Sequence, residues 1–432
     1  MKRILALGLS LLLAVGVLAT SVLAEDENVT LVVTSFYNTG SSSGWDGLVA
    51  AFTEKHPNVT LEVQETANGD DYLTKLVSSL AAGEAPDVIA MENKWVAKFV
   101  GSGLLAPLND YIANDPDLKL EDFYPHLMER YTVDGNIYGL PYDAQPTCMF
   151  FYNKALFDAE GLEYPTDEWT WDDMLAAATK LTKTDESGRT TQWGLLANSW
   201  YNYLYSNGGT IFNEDETECL MNTPEAIGGI QFLVDLIQKY KVMPDPTTLN
   251  SMGVGGADLF ATGQLAMLCC GYWDLVFQPT RWDDIDLGLT WFPANPEGNH
   301  GWDTGGTAYC VANGSKHPDL AYEFVKYFMT EPGWEAAYHA SINGVIYPPA
   351  HIPSYEKFVL NNPDLKIPNV EINGKAVPYA HFAPMHPLYT EISSKIIEPT
   401  IEEMELGYIS VEDGMQDITE RVNEALETGE VY

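Results

Sequence analysis

An α/β fold built around a parallel sheet is what this sequence predicts, and two observations predict it. Between residues 29 and 91 the hydrophobic pattern changes twice from β-branched runs to helical spacing and back, giving β-α-β-α-β. The 432-residue chain, 46% hydrophobic, is also long enough to bury large cores and divide into two domains.

The elements follow in order. VTLVVTSF (29–36) is an apolar, β-branched strand, after which Trp45, Leu48, Val49 and Phe52 fall on one helical face. VTLEVQE (59–65) is the second strand; Leu73, Leu76, Val77 and Leu80 repeat the helical spacing up to a stop at Gly83, and DVIAM (87–91) is the third strand. Two short crossovers between like strands imply a parallel sheet. Open α/β sheets bind ligands at the carboxyl ends of their strands. Here those ends carry Tyr37 and Asn38, then Glu65, then Glu92, Asn93 and Trp95.

A second α/β region follows the turn VDGN (133–136). It holds the strand CMFFYN (148–153), a helix opened by Thr170 with Asp173 in the capping-box position, QWGLLA (192–197), and a helix from Pro224 capped by Thr223. LAMLCC (265–270) and LGLTWF (287–292) are later strands. Helical spacing returns at Leu320, Ala321, Phe324, Val325 and Phe328, and 343–390, rich in proline and aromatics, reads as loops and crossing segments.

Lys2 and Arg3 precede an apolar stretch and small residues ending at Ala24, the pattern of a secretory signal peptide cleaved before Glu25. The apolar core is too short for a spanning helix, and no cysteine precedes Cys148, so no lipid-acceptor cysteine is expected at the cleavage site. The expected location is periplasmic or extracellular. The whole chain carries 22 basic and 62 acidic side chains, formally −40; without Lys2 and Arg3 this becomes −42. Such a charge repels nucleic acid and anionic lipid, and both are set aside as partners. With only Arg130, Arg189, Arg281 and Arg421 remaining once Arg3 is removed, the bidentate recognition of phosphate or carboxylate is poorly served, so a neutral ligand is expected.

Cys148, Cys219, Cys269, Cys270 and Cys310 form no CxxC or zinc spacing. In the strand 265–270 successive side chains face opposite ways, so Cys269 and Cys270 are read as small buried residues, not a thiol site. No metal and no cofactor is expected. Gly40-Ser41-Ser42-Ser43-Gly44 fits the GxSxG hydrolase elbow, but a serine- and glycine-rich loop reaches that pattern easily. The acidic runs 115–122 and 213–218 lack the glycine and spacing of a calcium loop and read as solvated.

The aromatic excess, 11 Trp and 24 Tyr, is more informative. Trp273 ends a buried strand in Gly-Tyr-Trp-Asp, and Trp302 precedes Asp303-Thr304-Gly305-Gly306. An aromatic plate ringed by acids and amides suits the axial C–H face and hydroxyl edge of a pyranose.

FTEKHPNVTLEV (52–63), AAGEAPDVIAMEN (81–93), GLLAPLNDYI (103–112), the stretch 135–162, YSNGGTIFNED (205–215), FATGQLAMLCCGYWDL (260–275) and KHPDLAYEFVKYFMT (316–330) occur in this order. Through them the chain resembles the extracellular solute-binding proteins of ABC importers, in the sugar-binding family of maltose- and glycerol-phosphate-binding proteins. The resemblance implies a two-lobed periplasmic-binding-protein-like fold of type II, each lobe a mostly parallel sheet flanked by helices, with hinge crossovers. Lobe one would be 25–134 plus 300–350, lobe two 135–299 plus 375–432, and 351–374 a crossover or loop segment. It implies ligand contacts from Tyr37 and Asn38, Glu92, Tyr142 and Asp143, Trp200 and Tyr201, and stacking Trp273, with Gly305 and Gly306 admitting the ligand to the backbone. Glu65, Asn93 and Trp302 complete the candidate set from the strand ends and aromatic excess. Arginines common in the family near 344–348 and 384–387 are absent here, which fits a neutral sugar or oligosaccharide. Expected partners are that saccharide and the permease subunits of an importer, with the protein itself a monomer and no enzyme. The competing expectation is a secreted hydrolase acting on a carbohydrate or ester through Ser42 or a carboxylate pair.

Overall fold

The computed structural model describes residues 28–36, 44–66, 69–143, 145–277, 281–362, 365 and 367–432. The signal segment, Tyr37, Asn38 and Ser42 lie outside the described residues.

Two five-stranded sheets form the cores of two lobes. In the first, the strands run in the order Val59–Glu65, Val29–Ser35, Val88–Glu92, Thr307–Val311 and Gly139–Pro141. The first three are parallel, as the β-α-β-α-β pattern requires, with Ser35 level with Glu65 at their carboxyl ends. Thr307–Val311 is antiparallel and starts opposite Glu92. It returns from the other lobe and enters where its neighbours leave, so it must run the other way. Gly139–Pro141 pairs with it, which carries the first lobe past the expected boundary at 134.

The second sheet has the order Leu287–Trp291, Met149–Asn153, Leu265–Cys270, Thr190–Leu196 and Lys183–Thr184. Only the pair 190–196 with 265–270 is parallel. In this lobe the expected mostly parallel sheet is a mixed one, because Met149–Asn153 enters from the crossover side and lies between two antiparallel neighbours.

Local chemistry explains the flanking helices. Gly44 caps Trp45–Lys55 at φ 80, and a Cβ there would meet the Ala337 carbonyl oxygen at 2.0 Å, so only glycine lets this helix approach Glu331–Ala340. At Trp171–Leu181 the Asp173 carboxylate accepts both the backbone N–H (2.9 Å) and the hydroxyl (2.8 Å) of Thr170. The Thr223 hydroxyl accepts from Ala226 N at the start of Pro224–Gln238. The amphipathic helix Val411–Thr428, capped by Ser410, packs on Pro224–Gln238 and Glu398–Glu405. The region 343–390 contains short helices as well as loops: Ile352–Tyr355 packs on Glu331–Ala340 of the first lobe, and Ile372–Ala376 on Leu287–Trp291 of the second.

The lobes are joined by paired crossing strands. Gln145–Pro146 runs antiparallel to Trp302–Gly305, with Thr304 opposite Pro146 and Gly305 opposite Gln145, and Ala380–Phe382 flanks the other side. Cys269 is buried and Cys270 half-buried, facing opposite ways as strand geometry demands.

Candidate functional site

A cavity of about 420 Å³ opens between the lobes over the crossing strands, within the range of small-ligand sites. The carboxyl ends of the first sheet supply Phe36, Glu92, Asn93 and Lys94; the second lobe supplies Tyr201, Trp273 and Glu398. The crossovers supply the floor through Asp143, Thr147 and 303–307.

Seven of the sequence-selected residues thus meet at one cavity: Glu92, Asn93, Asp143, Tyr201, Trp273, Gly305 and Gly306. Four do not line it. Glu65 is exposed and borders a separate groove with Lys75 and Lys316. Tyr142 is buried in the first lobe, stacked on Trp334 at 4.9 Å. Trp200 is buried behind Tyr201, ring on ring at 3.7 Å, so it backs the wall without forming it. Trp302 has no exposed surface, and its indole N–H donates to the Ala376 carbonyl at 3.0 Å.

Trp273 opens the short helix Trp273–Phe277 directly after the strand Leu265–Cys270. Its ring folds back over Gly271, where a Cβ would lie 1.8 Å from the ring, so the glycine is the seat of the plate. Gly306 is held from the first lobe: its carbonyl accepts from the Tyr131 hydroxyl at 2.6 Å and from Asn93 N at 3.1 Å. Asp143, almost fully buried, accepts from Thr307 N at 2.8 Å and ties the two crossings together.

Lys94, Asp303, Thr147, Phe36 and Glu398 line the cavity without having been singled out from the sequence. Burial opposes the Lys94 charge, but Glu92 at 2.9 Å outweighs it and holds the ammonium above its ordinary pKa. Burial pushes Asp303 up to about 6, against the Thr147 hydroxyl at 3.1 Å and the nearby Lys94, which favour its charge. Burial, then the Asp303 charge, pushes Tyr201 up to about 12; its hydroxyl shares a 2.8 Å hydrogen bond with Tyr389. Strand alternation was the available signal for Asp303: with Trp302 inward, its neighbour faces the cleft. Glu398, on a helix nearly a hundred residues later, left none.

A family model described as bacterial extracellular solute-binding protein matches residues 38–333. The chain belongs to that family. The binding protein is 25% identical over 389 residues to a putative binding protein of Brucella abortus, covering 89% of this chain and 90% of the relative. It is 26% identical over 322 residues to a maltotriose-binding protein of Pyrococcus abyssi, covering 73% and 65% respectively. Among solved structures it is similar to an ABC substrate-binding protein of Listeria monocytogenes in complex with cycloalternan, with TM-score 0.79, 27% identity, and coverage of 92% of this chain and 98% of that one. A solute-binding protein from Thermotoga lettingae bound with α-D-tagatose shares the fold, with TM-score 0.77, 24% identity, and coverage of 93% and 100%. Among the described residues of the binding protein, no helix is long and apolar enough to cross a membrane.

Proposed function

We propose that this binding protein captures a neutral sugar or oligosaccharide between its lobes outside the cytoplasmic membrane and delivers it, chemically unchanged, to the permease of an ABC importer. The observation that carries the reading is the wall of the cleft: Trp273 on one lobe shares a cavity with Glu92 and Asn93 on the other, over a floor bearing Asp303. An aromatic face takes the C–H side of a pyranose ring, and carboxylate and amide oxygens take its hydroxyls. No arginine lines the cavity among the described residues, which supports exclusion of phosphorylated and acidic sugars. The maltotriose-binding relative and the cycloalternan complex support a saccharide as the ligand class.

A thermal-shift screen of the purified protein against mono- and oligosaccharides tests this, since a ligand bound only by the folded state raises the melting temperature. Stabilisation by at least one neutral saccharide, with that sugar recovered intact after prolonged incubation, is expected. Steady appearance of cleavage products would replace the receptor with a hydrolase.

A further inference from the structure

The cavity has an excess of hydrogen-bond acceptors and negative charge. Four carboxylates line it, those of Glu92, Asp143, Asp303 and Glu398, against the single ammonium of Lys94. That ammonium is paired with Glu92 at 2.9 Å. Two of the hydroxyl donors on the wall are already used: Thr147 donates to Asp303 at 3.1 Å, Thr304 to the Gly305 carbonyl at 2.9 Å. Ser393, beside the cavity, donates to Glu398 at 2.8 Å. Asn93 supplies an independent sign of what is missing. It is only 4% exposed and lines the cavity, yet its Oδ1 has no hydrogen-bond partner among the described residues. A buried acceptor left unmatched costs about 1–3 kcal/mol, a penalty relieved when a ligand donates to it.

A neutral hydroxyl donates one hydrogen bond and also needs donors for its own lone pairs. An ammonium donates three and needs none. It also adds Coulomb attraction to the carboxylates of Asp303 and Glu398 in a partly dehydrated site and is favoured near the aromatic faces of Phe36, Tyr201 and Trp273.

We infer that the cleft prefers a saccharide carrying a protonated amine, an amino sugar, over its neutral hydroxyl counterpart, with Asp303, Glu398 and the Asn93 Oδ1 receiving the ammonium. This rests on the saccharide part of the reading above and replaces its neutral ligand with a cationic one. The groups facing Asp303 are Lys94 and Glu92 from the first lobe, Tyr201, Tyr205 and Tyr389 from the second, and Thr147 from the crossover, with His381 on the adjoining strand. Lys94 is the one cation among them, and its pairing with Glu92 leaves Asp303 and Glu398 to the ligand.

The test is calorimetric titration of the full protein at pH 7 with matched pairs: glucose and glucosamine, galactose and galactosamine, mannose and mannosamine, cellotriose and its 2-amino counterpart. In every pair that binds, the amine form should bind at least tenfold tighter at low ionic strength. The gap should narrow in 0.5 M sodium chloride and fall severalfold in Asp303→Asn and in the exposed-site variant Glu398→Gln. Equal or tighter binding of the neutral member overturns the inference and leaves the saccharide reading standing. Binding by no member, when the thermal-shift panel is also silent, removes the saccharide reading and this inference with it.

Discussion

Two stretches of this chain are spelled almost alike and do opposite things. Gly271-Tyr272-Trp273-Asp274 and Gly301-Trp302-Asp303 each set a tryptophan and an aspartate behind a glycine. At the first, the strand has ended, the chain turns into a helix, and the tryptophan ring lies in the cleft over its glycine. At the second, Trp302 begins a strand, so alternation sends the indole into the core and the carboxylate of Asp303 to the cavity. Backbone state, more than residue type, decides which member of such a pair meets the ligand.

Of the two stretches, the first is the more sensitive to substitution, above all at Trp273. Trp273→Ala is expected to weaken saccharide binding by about 1–3 kcal/mol, the range of aromatic stacking platforms, with the melting temperature little changed; unchanged calorimetric affinity would refute the plate. Gly271→Ala leaves the ring intact but takes its seat, and should reproduce most of that loss, read as a faster off-rate. Trp302→Phe should do the reverse. It removes a buried indole and its bond to Ala376, costing about 1–3 kcal/mol in denaturant unfolding, while affinity stays within twofold.

Asp303 sharpens the contrast through pH. Its folded-state value, about 6, lies above that of an unfolded aspartate, so the native state binds the proton more tightly. Stability is lost as pH rises from about 4 through 6 and stays lost above. Asp303→Asn should therefore melt higher than wild type at pH 8, by the equivalent of about 1–2 kcal/mol, and lose that advantage near pH 4. Parallel melting curves at the two pH values would contradict the burial assigned to this carboxylate. The smallest effect is expected at Lys98, whose ammonium meets Glu391 at 3.0 Å across the two lobes with both side chains about 40% exposed. Lys98→Met should change ligand affinity by about 0.2–1 kcal/mol, an effect that vanishes in high salt.

Local rules made much of this fold legible. The strands at 29, 59 and 88, the Asp173 capping box and the Thr223 cap follow from periodicity and short-range hydrogen bonding, which neighbouring residues determine. The antiparallel entry of Thr307–Val311 does not, because it depends on the chain having visited the other lobe. The same divide runs through the site. Glu92 and Asn93 follow from a strand end and Trp273 from a strand stop, whereas Tyr142, Trp200 and Trp302 carry the right chemistry at positions where packing turns it inward. Lys94 lies at the same strand end as Glu92 and Asn93, whereas Glu398 joins the cavity only through the juxtaposition of the lobes.

The floor of the cavity is also the joint. Thr147, Asp303 and Gly305 lie on or beside the paired crossing strands, so a rotation of one lobe against the other about that pair would displace them least, while Trp273 on the second lobe would move relative to Glu92 on the first. A ligand anchored at the pivot keeps its first contacts through the whole swing. The walls would then act as jaws on a held object.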